Sequence, residues 1–156
     1  MGIHTAGERA VLEGLVDVQR REIVGLLEGL TEEQARRRLV PSLTTLLGLV
    51  THATFVEKVW FHHRVQGLSR VEVGIPETVE ESFVLTGEHT VASVLEAHAA
   101  ACERSRVIAA EHDLDEQFPW HHGSVSLRFL YGHLIAELAR HAGHGDILRE
   151  QILAEG

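Results

Sequence analysis

One cysteine in 156 residues, Cys102, excludes an internal disulfide framework and suits a reducing cytosol. Cationic side chains are scarce. Fourteen Lys plus Arg stand against 23 Asp plus Glu, a formal charge of −9, which argues against a surface built to neutralise phosphates and so against nucleic acid as a partner. Long uncharged apolar runs are missing as well, and Met1-Gly-Ile-His-Thr-Ala-Gly-Glu-Arg9 lacks the basic start and apolar stretch of a secretory leader. The expectation is a cytoplasmic protein with no membrane segment. The length fits a single domain over residues 1–156. Histidine alone is in surplus: twelve residues raise the odds both of metal binding and of chance spacings, so position has to decide between them.

Thr5 and Glu8 have capping-box spacing, and Leu12, Leu15, Val16, Ile23, Leu26, Leu27 and Leu30 recur at helical intervals, which predicts a helix over about 6–29. Thr31 to Arg38 reads as a short helical turn or solvated connector, with Arg36 to Arg38 a solvated face. A second helix is predicted over about 43–65. Its stripe Thr45, Leu49, His52, Val56 and Val59 sets His52 among apolar neighbours, either as a core histidine satisfied by a hydrogen bond or as a ligand. From Gln66 to His89 periodicity fails. Gly67, Gly74, Pro76 and Gly87 punctuate a connection of about 24 residues, longer than the usual 2–8 between helices and so a crossover, with Val71 to Ile75 expected to be extended. A third helix is predicted over about 91–112, with His98 and Cys102 as core residues. Residues 113–123 read as a loop in which His121 and His122 line the surface, and Ser124 or Ser126 caps the last helix. Four helices, one crossover and no convincing strand predict an all-α four-helix bundle.

The last helix carries the chemistry. Glu137 and His141 lie four apart and share a face with Leu127, Leu130, Leu134 and Leu148, so a carboxylate and an imidazole point toward the core, where a charge needs a partner. His52 falls near mid-height of its own helix, as Glu137 and His141 do of theirs. Three His and Glu ligands with an open fourth position make the pattern of a catalytic rather than a structural zinc site. The alternative is a buried ion pair within one helix, which repays its desolvation poorly. His133 and His144 lie near the same face and compete as ligands or as supporting groups.

The segments Thr45-Leu-Leu-Gly-Leu-Val-Thr-His52 and Glu137-Leu-Ala-Arg-His141-Ala-Gly-His-Gly-Asp-Ile-Leu-Arg-Glu150, in this order and separation, resemble the DinB-like metal-binding superfamily, particularly its branch of mycothiol-dependent transferases and isomerases. The resemblance spans nearly the whole chain. It implies an up-down-down-up four-helix bundle and a divalent metal, zinc or else nickel, held by His52, Glu137 and His141. It also implies a low-molecular-weight thiol, mycothiol, as cosubstrate. The extra C-terminal domain of the full-length maleylpyruvate isomerases has no counterpart in these 156 residues. The function expected is a zinc-dependent thiol S-transferase acting on a small electrophile. A metal-dependent hydrolase and a non-catalytic metal-binding bundle are the alternatives, and a homodimer is a possible assembly.

Overall fold

The computed structural model describes residues 2–155. It is mostly helical. After a 3-10 turn at Ile3–Thr5, the elements are α1 (Glu8–Gly25), α2 (Glu32–Arg36), α3 (Leu46–Glu57, continued by a π-helical stretch over Lys58–Val65), α4 (Arg70–Val73), α5 (Val91–Ala110), β1 (Gln117–Trp120), β2 (Gly123–Ser126) and α6 (Leu127–Ala154).

Most helix starts are written in side chains. The hydroxyls of Thr45 and Ser126 accept from the third backbone N–H of α3 and α6, and capping boxes at Thr31/Gln34, Ser69/Glu72 and Thr90/Ser93 open α2, α4 and α5. The expected box at Thr5 and Glu8 does not form, because Thr5 ends the 3-10 turn and Gly7 takes the cap position.

Two further expectations are corrected. Val71 to Ile75 is not extended: Ser69 nucleates one helical turn, and Gly74, at φ +70°, ends it. Residues 117–126 are not a plain loop, and the chain is therefore not purely α. Gln117 to Trp120 pairs antiparallel with Gly123 to Ser126 around a His121-His122 turn, with Phe118 and Val125 directly opposite each other and both buried. The strands are too short for alternation to show in the sequence.

Contacts give the helix directions. Glu13 meets Tyr131 and Leu26 lies against Gly145, so α1 runs parallel to α6; any side chain at Gly145 would overlap Leu26. Thr54 meets His98 and His62 meets Ser105, so α3 runs parallel to α5. His52 meets Glu137 and Trp60 meets His133, so α3 and α6 are antiparallel. Parallel neighbours in sequence order need a long return path, and the crossover over residues 66–90 supplies it.

The core falls into two apolar clusters. One joins the later part of α3 (Phe55, Val56, Trp60, Phe61) to the start of α6 (Leu127 to Leu134) and the hairpin. The other joins the start of α3 (Leu46 to Ala53) to the end of α6 (Leu138 to Ile152) and to α1. His52 and Glu137 sit at the seam between them, polar residues placed where apolar packing changes hands.

Candidate metal centre

His52, one turn and a half into α3, is 2% exposed, while Glu137 and His141, one turn apart on α6, keep 26% and 16% of their side-chain surface. The site therefore has a sealed side at α3 and an accessible side at α6. The Nε2 atoms of His52 and His141 converge on the same carboxylate oxygen, Glu137 Oε1, at 3.2 and 3.0 Å. One potential ligand atom from each of the three residues lies within 4.8 Å of the others.

The crossover, silent in the sequence, completes the sealed side. Thr51 Oγ1 donates to Ser82 O at 3.1 Å and ties the 3-10 turn Glu80–Phe83 to α3. A Cβ on Gly48 would lie 3.4 Å from Phe83 O, so this glycine lets the crossover backbone approach closely. The tie brings Ser82 Oγ to 2.8 Å from His52 Nδ1 and stacks the Phe83 ring on the imidazole, with centroids 4.3 Å apart at 13°. Behind this layer lies a cavity of about 490 Å³ that reaches it through Thr51 and Ser82.

Ser82 decides which nitrogen of His52 carries the proton. Its single hydroxyl hydrogen goes to the Val79 carbonyl, so Ser82 Oγ accepts from His52 Nδ1–H. Neutral His52 then presents a lone pair at Nε2, facing a carboxylate oxygen. Two electron-rich atoms held at 3.2 Å call for a positive charge between or beside them. Burial pushes the His52 imidazole below its ordinary value, with the Glu137 carboxylate pulling the other way, so an extra proton is a poor source of that charge. The hydrogen bond from His141 holds the Glu137 carboxyl well below the usual carboxylate range, which keeps it ionised. His141 Nδ1 is buried without a partner. Two imidazoles and one carboxylate around a common point are a donor set that suits zinc or nickel.

The competing histidines are elsewhere. His133 packs against Trp60 and Phe129, with ring centroids 4.7 and 5.9 Å away, one turn from Glu137 but outside the cluster. His144 is exposed, its ring 5.7 Å from that of His141. His121 and His122 form the exposed hairpin turn beside Trp120. His98 and Cys102 are buried together, the thiol 3.4 Å from His98 Nε2, and burial pushes the thiol up to about 12, which leaves it protonated and unreactive.

Two features escaped the sequence. Ser82 lies 30 residues from His52 in an aperiodic stretch, and nothing local marks it. The buried pair of Arg20 and Glu57, joined by two bonds of 2.8 Å, did leave a signal. Glu57 interrupts the apolar α3, and Arg20 continues the inward spacing of Val16 and Ile23.

A mostly helical fold with two imidazoles and a carboxylate facing one another defines a candidate metalloprotein. The family profile described as Mycothiol-S-transferase matches residues 11–154, and the chain belongs to that family. No curated protein matches the chain.

Proposed function

We propose that this protein is a metal-dependent thiol S-transferase in which His52, Glu137 and His141 together hold one divalent ion, zinc before nickel, and mycothiol is the thiol. The observation that carries the reading is the convergence of both Nε2 atoms on Glu137 Oε1, with the His52 proton committed to Ser82 on the far side. Membership of the mycothiol S-transferase family supports the reaction class and the thiol. A divalent ion held there would supply the Lewis acidity that keeps a thiol ionised at neutral pH.

The chain's own residues supply the rest. Ser82 orients His52, Phe83 covers its flank, and the ionised Glu137 contributes one negative charge, so that a divalent ion held by these three residues would keep a net positive charge favourable to an anionic sulfur. The partly exposed side at Glu137 and His141 is where the reactants approach.

The helix directions support an up-down-down-up four-helix bundle carrying a small hairpin, as one domain over residues 1–156. No helix among the described residues is long and apolar enough to cross a membrane; we place the protein in the cytoplasm, and light scattering tests the homodimer considered above.

The deciding experiment compares metal-loaded and metal-free protein on a generic electrophile, with and without a small thiol. Turnover that needs both metal and thiol is the expected result. Hydrolysis without thiol would favour the hydrolase reading, and metal binding without turnover the non-catalytic one.

A further inference from the structure

The cavity of about 490 Å³ behind the Ser82 layer has no part in the transferase reading, whose reactants approach from the Glu137 side. Its size falls within the roughly 300–1,000 Å³ of small-molecule sites. Four pieces of chain line it: Thr51 to Lys58 of α3, Ser93 to Ala97 of α5, Gly74 to Pro76 after α4, and Glu81 to Thr86 of the crossover. Phe55, Ile75 and Val94, all buried, give it an apolar base.

Most of the polar wall is already in use. The hydroxyls of Thr51, Thr54, Ser82 and Ser93 donate to the backbone carbonyls of Gly48, Val50, Val79 and Glu88 in turn. Glu81, the one carboxylate among the described residues lining the cavity, accepts from Thr78 N–H at 3.0 Å. Two side chains keep free donors. Thr86 N–H donates to His89 Nδ1 at 2.8 Å, which puts the proton of the neutral ring on Nε2, and Nε2 has no partner among the described residues. Lys58, the only lysine in the sequence, has neither an ion pair nor a hydrogen bond among the described residues. Arg21, Arg104 and Arg140 are also without partners there, but they are exposed, whereas Lys58 is half-buried.

A half-buried ammonium without a counter-ion gains from an anionic partner. A carboxylate supplies the charge for Lys58 and acceptor oxygens for both free donors. The buried apolar base asks for a hydrocarbon body on the same molecule. We propose that this cavity binds a small carboxylic acid with an apolar body, its carboxylate on Lys58 and its hydrocarbon against Phe55, Ile75 and Val94, as a ligand separate from the reactants of the metal centre. Ser82 belongs to the cavity wall and also accepts from His52 Nδ1, so an occupant meets the metal site only from behind. The assignment rests on the cavity and not on the transferase reading.

Octanoate and octanamide share one tail and differ in the head, and calorimetry on metal-free protein compares them. Octanoate should bind roughly 10-fold more tightly than octanamide, the margin of a charge-assisted over a neutral hydrogen bond. Hexanoate, shorter by two methylenes, should bind roughly 10-fold more weakly than octanoate. Lys58→Met, which keeps the aliphatic stem, should remove the preference for the acid and leave octanamide unchanged. Lys58→Arg should retain it. Zinc loading should leave octanoate bound, because the ion and the acid occupy different sides of His52. Equal binding of the two probes, a Lys58→Met variant that weakens both alike or neither, or displacement of octanoate by zinc would overturn the proposal.

Discussion

Ser82 Oγ and His52 Nδ1 lie 2.8 Å apart, and because the Ser82 hydroxyl is already donated to Val79 O, this contact fixes His52 with its lone pair toward Glu137. A serine from the crossover thus sets the electronic state of a residue on α3. Ser82→Ala is expected to weaken metal affinity roughly 10- to 100-fold, the usual effect of losing a partner behind a ligand histidine. Competition against a chromophoric chelator measures it, and helicity should be unchanged. Wild-type affinity in Ser82→Ala would show that His52 keeps its tautomer without the serine.

His141→Ala should abolish stoichiometric metal while leaving most of the helical signal, because neither apolar cluster depends on the His141 ring. Metal content of protein purified without a metal-affinity tag, read beside circular dichroism, checks both halves. Full retention of metal in this variant would transfer the role to His144, the other imidazole near the cluster.

The parts of this architecture that were legible in the sequence are those written in period and cap. The inward stripe of α6 placed Glu137 and His141 on one face, the stripe of α3 placed His52 inside, and the length of the crossover implied helices that need not be antiparallel neighbours. The Phe118–Val125 hairpin was missed because strands of four residues carry too little alternation to stand out from a loop. Ser82 and Phe83 were illegible for a different reason. Each makes a long-range contact from an aperiodic segment, where spacing does not report direction.

Arg20 and Glu57 are 7% and 0% exposed, and the carboxylate takes both of its charge-assisted bonds from this one guanidinium. Arg20→Met should therefore cost about 3–5 kcal/mol, mostly from leaving Glu57 charged and unpartnered in the core. Arg20→Met combined with Glu57→Leu should recover much of that loss. Urea denaturation of both variants gives the comparison, and a single variant within 1 kcal/mol of wild type, about the scale of an exposed pair, would contradict the account.

His98 and His62, away from the metal centre, are both lowered from their ordinary value by burial, which disfavours the imidazolium in the fold. A group depressed in the folded state binds fewer protons there than in the unfolded chain. Its stabilising contribution is complete above the unfolded value of about 6.5 and is lost as pH falls through the folded one. Metal-free protein should thus hold a constant melting temperature from about pH 7 to 8 and lose stability below about pH 6.5. His98→Phe should flatten part of that acid limb, and an unchanged limb would assign the loss to other groups.

Turnover should need a low-molecular-weight thiol and should not need Cys102, whose buried thiol is pushed up to about 12 and so stays protonated throughout the working range. The chain has no second cysteine for dithiol chemistry. If the transferase reading holds, conjugation by metal-loaded protein should persist at pH 7, where the uncatalysed reaction falls with the supply of free thiolate from a group of pKa near 8.5. At the acid end of the working range, protons compete with the ion for its imidazole ligands, and activity should fall together with bound metal. Conjugate formation from pH 5.5 to 9, measured for wild type, Cys102→Ala and metal-stripped protein, tests each step. Equal rates with and without metal would reject the metal-dependent mechanism. Loss of activity in Cys102→Ala with metal still bound would move the nucleophile into the chain itself, beside His98.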